Sequence, residues 1–333
     1  MKPCIYFEPK VINDNFEGTR LRKNIKKALE NQNIAYAKSI IDTYDLIHFI
    51  SLNDELKIND AVEQNVPVVF SALNCENDES ARTLDRNNTL SQKTIKLLNK
   101  VDLILVSDSL SMKFLSKNGI KKPIKIVTPG VDLSRFEFDN QLEENIFYNY
   151  YQLEKGSKFV VSIGGSEDKE NLKTLFNIAK SCPNVLFFYF TPKKENKIAN
   201  ILFNKIRNVK ICSLLNSELY ASMMKCATIF LQLTNASHSP ISILDAAASR
   251  TQLVSVSYKG LNEEYLDSCK CYYGNSEEEL AKIINGLINN ELKYTTKEAF
   301  EFAKNNSIEN LGTNLVQIYE NLLREKKKWL IKN

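Results

Sequence analysis

The stretch TNASHSPISILDAAASR, at residues 234–250, places a nearly uncharged loop before an amphipathic helix. The first backbone N–H groups of a helix have no partner within the helix, so a loop in this position can bind a phosphate group. His238 could hydrogen-bond such a phosphate, although a lone loop histidine is more often solvated. Asp245, on the helix, is a carboxylate that could stabilise the start of the helix. The stretch therefore predicts a candidate nucleotide or phosphate site.

Short apolar runs alternate with longer helical patterns around this loop. The predicted buried strands are CIYF, YDLIHFIS, VPVVFSA and VDLILVS in the first part, and KFVVSIGG, VLFFYFT, NVKICSL, ATIFLQL, QLVSVSY and CKCYYG in the second. Alternation of strand and helix predicts parallel sheets with right-handed crossovers. The sequence therefore predicts an α/β protein with two Rossmann-like domains that face each other across a cleft, where ligands usually bind.

The predicted domain boundary follows KIVTPGVDLSRFEFD, in which Pro129 and Gly130 set a tight turn after a strand. We expect an N-terminal domain at residues 1–138, a C-terminal domain at 139–312, and at 313–333 a helix with a basic tail that crosses back to the first domain. A chain of 333 residues is too long for one compact core of ordinary size, which also favours two domains.

Charge and cysteine content argue against several classes of protein. The chain has 44 basic and 40 acidic side chains, and the net charge of +4 is too small to indicate nucleic-acid binding. Its seven cysteines include no C-x-x-C pair and it has two histidines, so we expect free thiols and no metal site. The N-terminus lacks a signal-peptide pattern, and no apolar run approaches the ~20 residues of a membrane span. These features predict a cytoplasmic protein.

Basic residues cluster on three predicted helices and could rest on an anionic membrane surface. A basic residue close to anionic headgroups contributes about 1 kcal/mol to such binding. A solvated helix face explains any one cluster equally well. The clusters are Arg20, Arg22, Lys23, Lys26 and Lys27; Lys113, Lys117, Lys121 and Lys122; and Arg324, Lys326, Lys327 and Lys328 beside Trp329.

The segment VSDSLSMKFLSKNGIKKPIKIVTPGVDLSRF resembles the strand, helix and linker of family 4 glycosyltransferases, which have the GT-B fold. The opening MKPCIYFE, with EGTRLRKNIKKALENQNIAY, NVLFFYFTPKK and LDAAASRTQLVSVSYKGLNEEYL, is similar to the glucosyl-diacylglycerol glucosyltransferases of low-GC Gram-positive bacteria. The resemblance implies retaining transfer of a hexosyl unit, with UDP-glucose as the expected donor substrate. The implied acceptor is a glycolipid or another molecule at the cytoplasmic membrane face, to which the protein would bind peripherally. The resemblance implies no bound metal and no cofactor.

The resemblance also implies donor-site residues. The paired glutamates of the family's donor loop, the second of which bridges the ribose hydroxyls, correspond here to Ser237 and Asp245, so the resemblance implies a ribose contact for Asp245. The diphosphate-binding turn corresponds to IGGSEDKENLKTL, where Lys169 stands one place early and Glu170 occupies the usual lysine position. A carboxylate there would repel a diphosphate unless Lys169 or Lys173 compensates. The candidate donor-binding residues are Gly164, Gly165, Ser166, Lys169, Lys173, Ser237, His238, Ile241 and Asp245.

On the acceptor side, the resemblance implies Gly18 in NFEGTR and the polar residues Asn74, Glu76 and Asp78. Ser71 and Leu73 stand where the family has histidines. Because four sites depart from the family pattern together, two hypotheses remain open. The protein is an active hexosyltransferase, or it is a catalytically inactive paralogue that acts as a scaffold or as a partner subunit of an active glycosyltransferase. No side chain is assigned as catalytic.

Overall fold

The first domain contains a five-stranded parallel sheet whose strands lie in chain order. The computed structural model describes residues 1–7, 17–52, 55–71, 90–164, 169–191, 206–233, 240–256 and 263–332. The strands are β1 (Pro3–Tyr6), β2 (Leu46–Phe49), β3 (Val68–Ser71), β4 (Leu103–Val106) and β5 (Ile124–Ile126). The helices are α1 (Glu17–Asn31), α2 (Glu55–Glu63), α3 (Gln92–Leu98) and α4 (Ser109–Lys117).

The second domain contains a six-stranded parallel sheet in the order β11-β10-β9-β6-β7-β8. Its strands are β6 (Phe159–Ile163), β7 (Leu186–Thr191), β8 (Val209–Ser213), β9 (Ile229–Gln232), β10 (Gln252–Val256) and β11 (Tyr272–Gly274). The helices from the linker onward are α5 (Gln141–Glu144), α6 (Ile146–Tyr150), α7 (Lys169–Ser181), α8 (Ser217–Cys226), α9 (Ile241–Ala248), α10 (Glu263–Ser268), α11 (Glu277–Ile288), α12 (Thr296–Asn305) and α13 (Ile308–Lys332).

Both sheets are covered on both faces, as expected for parallel strands that are apolar along their whole length. In the first sheet, Ile5 and Val69 pack into one apolar cluster, whereas Ile47 and Phe70 pack into another. The second sheet is likewise packed between two apolar clusters. The predicted architecture of two parallel α/β domains is therefore confirmed.

The winding direction of the second sheet reverses at β6, which lies between β7 and β9. The register places Val161 opposite Phe230, so the carboxyl ends of β6 and β9 lie side by side. The chain leaves these two ends toward α7 and α9 respectively. A crevice opens outside the carboxyl ends of the strands at such a reversal, and it is the preferred ligand site of open α/β sheets.

The chain enters the second domain ahead of the predicted boundary at 138, because Val131 and Phe136 already pack in the core of that domain. The last helix, α13, begins at Ile308, also ahead of the predicted boundary at 313. It packs along α1 in the first domain. A side chain at Gly312 would collide with the backbone of Ala28, so glycine permits this close approach. Among the described residues, no helix combines the length and apolar character needed to cross a bilayer.

A buried histidine joins α13 to the first sheet. The ring of His48 is fully buried; Nδ1 is hydrogen-bonded to the Tyr319 hydroxyl at 2.6 Å and Nε2 to the Ser71 hydroxyl at 2.7 Å. Both partners can donate or accept, so a neutral imidazole is satisfied as either tautomer. Burial lowers the pKa of His48 to about 3. His48 therefore serves as a neutral core residue, and Ser71 on β3 is one of its partners.

We predict that protonation of His48 destabilises the protein below neutral pH. Unfolding exposes a ring with a pKa near 6.5, so the unfolded state binds more protons than the folded state between about pH 6.5 and pH 3. The free energy of unfolding, from urea denaturation, should fall faster with decreasing pH for the wild type than for His48→Gln. The difference between the two proteins should change by about 2 kcal/mol from about pH 7.5 to about pH 5. A constant difference would show that the ring is not held neutral.

Candidate functional site

The crevice of the second domain contains the start of α9, which follows β9. The first turn of α9 carries no acidic residue, and Pro240 at its N-cap makes no side-chain capping bond. The first N–H groups of a helix carry partial positive charge and lack partners within the helix. The start of α9 therefore has the electrostatic character of an anion-binding site.

An ion pair joins α9 to the other domain. Arg20, in the first turns of α1, donates from Nη2 to Oδ2 of Asp245 on α9. Both side chains are almost completely buried, with 3% and 2% of their surfaces exposed. An ionised carboxylate without access to water needs a charged or hydrogen-bonding partner, because desolvation of a lone charge is too costly. The buried position of Asp245 thus depends on Arg20.

Two further groups surround this ion pair. Nη1 of Arg20 donates to the Tyr220 hydroxyl at 3.1 Å and lies 3.5 Å from Oγ of Ser242, in the first turn of α9. Arg135, from the 3₁₀ turn Leu133–Phe136, places Nη1 3.8 Å from Oδ2 of Asp245. Both guanidinium groups lie over the Tyr220 ring, at 5.0 and 5.4 Å from its centroid. Burial raises the pKa of Tyr220, so its hydroxyl stays neutral. We call Arg20, Arg135, Tyr220 and Asp245 the arginine cluster.

The polar face of α1 continues along residues 129–132, which join the two domains and which we call the hinge. Asn24, one turn after Arg20, donates from Nδ2 to the Gly130 carbonyl at 2.8 Å. Lys27, almost one further turn along, donates to Oδ2 of Asp132 at 2.5 Å. Residues at this spacing lie on one side of a helix. One face of α1 thus contacts both the hinge and the start of α9.

A second contact between the domains lies at the carboxyl end of β4. The Tyr265 hydroxyl on α10 donates to the Ser107 carbonyl at 2.9 Å, and the Ser109 hydroxyl donates to the Glu264 carboxylate. Ser109 is the first residue of α4, so the Glu264 carboxylate lies at the positive end of that helix. The two domains are therefore in contact at both places.

The predicted donor residues that the structure describes occupy different environments. Lys169 and Lys173 are exposed on the first two turns of α7, beside the carboxyl end of β6. Gly164 is buried, and a side chain there would collide with the Tyr189 hydroxyl. Ile241 is buried in an apolar cluster that also contains Phe7 and Leu21 of the first domain. Gly165, Ser166, Ser237 and His238 lie outside the described residues.

On the acceptor side, Gly18 lies in the first turn of α1 against the ring of Phe7. A Cβ atom at this position would overlap that ring, so the absence of a side chain allows Phe7 to pack over the start of α1. Asn74, Glu76 and Asp78 lie outside the described residues. The structure therefore assigns Gly18 a packing role in the conformation it describes.

Sequence reasoning missed three members of the arginine cluster. Arg20 was considered only as part of a basic helix face, and neither Arg135 nor Tyr220 was singled out. The available signal was the position of Arg20 among apolar residues of an amphipathic helix, where an arginine is rarely buried without a partner. The partner, Asp245, lies in the other domain and is separated from Arg20 by 225 residues in sequence, so no local pattern connects the two.

The basic cluster on α1 is used largely within the protein. Arg20 and Lys27 pair with acidic side chains, and the ammonium group of Lys26 lies over the Tyr36 ring at 4.8 Å. On α4, Lys113 and Lys117 are exposed. In the third cluster, Lys326 pairs with Asp102 at 3.0 Å, and the side chain of Trp329 lies outside the described residues. Exposed basic residues therefore remain on α4, where Lys113 and Lys117 lie, and near the end of α13, where Arg324, Lys327 and Lys328 lie.

The described cysteines are free thiols, and Cys75 lies outside the described residues. Burial raises the pKa of Cys4, Cys182, Cys226 and Cys269, which keeps these thiols protonated and unreactive. Within the part of the chain that the structure describes, no group of three His, Cys, Asp or Glu side chains could hold a metal ion.

No family model matches the sequence. The chain is 22% identical over 315 residues to the processive diacylglycerol alpha-glucosyltransferase of Acholeplasma laidlawii, an alignment that covers 91% of this chain and 92% of the relative. The resemblance to glucosyltransferases of this type is therefore confirmed.

Solved glycosyltransferase structures share the fold. Anabaena HepE, in complex with UDP and glucose, superposes with a TM-score of 0.74 at 14% identity, covering 96% of this chain and 99% of that chain. WaaG, a glycosyltransferase involved in lipopolysaccharide biosynthesis, superposes with a TM-score of 0.65 at 13% identity, covering 96% of this chain and 99% of that chain. The predicted GT-B fold is therefore confirmed.

Proposed function

We propose that this protein is a hexosyltransferase that takes glucose from UDP-glucose and transfers it, with retention of configuration, to a glycolipid acceptor. The observation that carries the proposal is the adjacency of the carboxyl ends of β6 and β9, from which the chain continues to α7 and α9, because ligands of open α/β sheets bind at such a reversal. Two helix N-termini at one crevice favour a ligand with several negative charges, such as a nucleotide diphosphate. Similarity over nearly the whole chain to a diacylglycerol alpha-glucosyltransferase supports the same class of reaction.

In the proposed reaction, the sugar leaves as the bond between its anomeric carbon and the diphosphate breaks. Negative charge grows on the diphosphate at that step, so positive groups around it stabilise the transition state more than the bound substrate. The start of α9 and the exposed lysines Lys169 and Lys173 supply such charge without a metal ion. Gly165, Ser166, Ser237 and His238 remain proposed donor residues, and the nucleotide sugar is a substrate in a reaction without a cofactor.

We expect the purified protein to bind UDP and UDP-glucose in a calorimetric titration. Lys169→Ala should weaken UDP binding by about threefold to tenfold, because an ammonium group near the diphosphate is lost. Lys180→Ala is the matched control, since Lys180 is exposed at the far end of the same helix and should leave the affinity unchanged. Equal affinities of all three proteins would remove Lys169 from the donor site. No heat at millimolar nucleotide would contradict the proposed donor and favour the scaffold hypothesis.

The proposed acceptor is a membrane lipid, so the protein should bind peripherally to the cytoplasmic membrane face. The exposed lysines of α4, with Lys121 in the segment that follows it, form a basic surface on the first domain. Anionic headgroups attract such a surface, and the attraction weakens as salt screens it. The similarity of the chain to a diacylglycerol alpha-glucosyltransferase supports a lipid acceptor.

We predict that Lys113→Glu/Lys117→Glu/Lys121→Glu reduces cosedimentation with phosphatidylglycerol vesicles at low salt by about tenfold or more, because three favourable charges become repulsive. The control variant is Lys180→Glu/Lys282→Glu/Lys297→Glu, which changes the net charge equally at exposed positions of the second domain. It should retain most of the binding. Equal losses of vesicle binding in the two variants would show that binding depends on the net charge of the protein alone. No loss of binding in either variant would exclude this surface as the membrane-binding site.

A further inference from the structure

We propose that Arg20, from the N-terminal domain, binds the diphosphate of the nucleotide sugar, and that Asp245 is a positioning residue that holds the Arg20 guanidinium at the start of α9. This inference rests on the proposed function, because it concerns the same donor site. It assigns Asp245 a different role from the ribose contact considered from the sequence.

The first argument is the position of Arg20. Its Nη1 atom lies 3.5 Å from Oγ of Ser242, the second residue of α9. The free N–H groups of that helix belong to the same turn. An oxygen of an anion held by these N–H groups would therefore lie within reach of the Arg20 guanidinium. The contact with Ser242 is longer than the 3.1 Å bond to Tyr220, so a phosphate oxygen can replace it at little cost.

The second argument is the way in which the guanidinium is fixed. Nη2 donates to Asp245 and Nη1 donates to Tyr220, so two helices of the second domain orient one planar group from the first. The guanidinium fork matches the geometry of phosphate oxygens and loses little entropy on binding when it is held in advance. Orientation of this kind strengthens binding of an anion beyond what charge alone provides.

The third argument concerns Asp245 itself. Its Oδ2 atom is paired with Arg20, with Arg135 nearby, and 2% of the residue surface is exposed. Asp245 lies one turn further into α9 than Ile241, on a side of the helix that faces α1. To accept a bond from a ribose hydroxyl through Oδ2 it would have to release a buried arginine, which is costly because both charges would lose a partner. A role through Arg20 requires no such release.

The fourth argument is the free-energy cost of burying the ion pair between Arg20 and Asp245. A buried ion pair is rarely more stable than apolar side chains of the same volume, so stability alone is a weak reason for an arginine and an aspartate at this position. Lys27 and Asp132 join the same helix face to the hinge through a pair that is partly exposed. The domains could thus be linked without burying Arg20, whereas a guanidinium beside the start of α9 adds to the attraction of that helix for an anion.

The test compares ligands that differ only in the diphosphate. Affinities for UDP and for uridine would be measured for the wild type, Arg20→Ala, Arg20→Lys and Asp245→Asn, with urea unfolding as a check that each variant is folded. We expect Arg20→Ala and Asp245→Asn each to weaken UDP binding by about tenfold or more and to leave uridine binding unchanged. Arg20→Lys should lie between the wild type and Arg20→Ala, because a lysine keeps the charge and loses the fork. If Arg20→Ala does not fold, the UDP affinity of Arg20→Lys is compared with that of the wild type instead.

The matched control is Lys27→Ala, which removes a cation from the same face of α1 and breaks the ion pair with Asp132 at the hinge. It should leave UDP binding unchanged, whereas a merely structural role of Arg20 in joining the domains would give both variants the same loss. The double variant Arg20→Ala/Asp245→Asn should bind UDP no more weakly than Arg20→Ala alone, because Asp245 acts through Arg20.

Three results would overturn the inference. UDP binding by Arg20→Ala at the wild-type affinity would remove Arg20 from the site. Equal weakening of uridine and UDP by Asp245→Asn would make Asp245 a ribose ligand. Equal losses in Lys27→Ala and Arg20→Ala would reduce Arg20 to a domain contact. Failure of the wild type to bind UDP or UDP-glucose is a separate outcome, because it contradicts the proposed function itself.

Discussion

The carboxylate of Asp245 has almost no access to water, and it takes its positive partner, Arg20, from the opposite domain. Removal of one member of such a pair leaves a buried charge without compensation, which typically costs about 3 to 5 kcal/mol. The pair therefore restricts how α9 and α1 can approach each other. Because α9 begins at the crevice of the second sheet, the same pair determines which groups of the first domain border that crevice.

Helix α1 can occupy this position because its two sides have different chemistry. Leu21, Ile25 and Leu29 pack in the first-domain core, together with residues of α13. The other side carries Arg20, Asn24 and Lys27, which contact the second domain and the hinge. Helix α13 returns to the first domain, where Tyr319 is hydrogen-bonded to His48, and it packs against α1. The position of Arg20 thus depends on elements from both ends of the chain.

The sequence was sufficient to predict the fold, because the apolar strand runs and amphipathic helices are local patterns with a known period. Each predicted run, from CIYF to CKCYYG, contains a strand of the structure. The predicted return of the last helix corresponds to the packing of α13 on α1. Val131 and Phe136 pack with the second domain although the polar linker follows them. Composition marks where a linker is polar, whereas packing decides which core a residue joins.

The candidate site was only partly predictable. The helix that follows residues 234–239 was located from its sequence, and Asp245 was identified on it. The partner of Asp245 was not found, because ion pairs between domains leave no periodic signal in either segment. His48 shows the opposite case: it lies in an apolar strand run of the sequence, and the structure gives its buried ring two hydroxyl partners. Local chemistry predicted local environments, and the pairing across the crevice required the three-dimensional structure.

The most direct test of this account is a crystal structure of the protein with bound UDP. We predict the diphosphate at the first turn of α9, with a phosphate oxygen within hydrogen-bond distance of the Arg20 guanidinium and with Asp245 still paired to Arg20. A diphosphate bound away from α9 would contradict the account. So would a complex in which Arg20 has withdrawn and the Asp245 carboxylate accepts hydrogen bonds from the ribose hydroxyls.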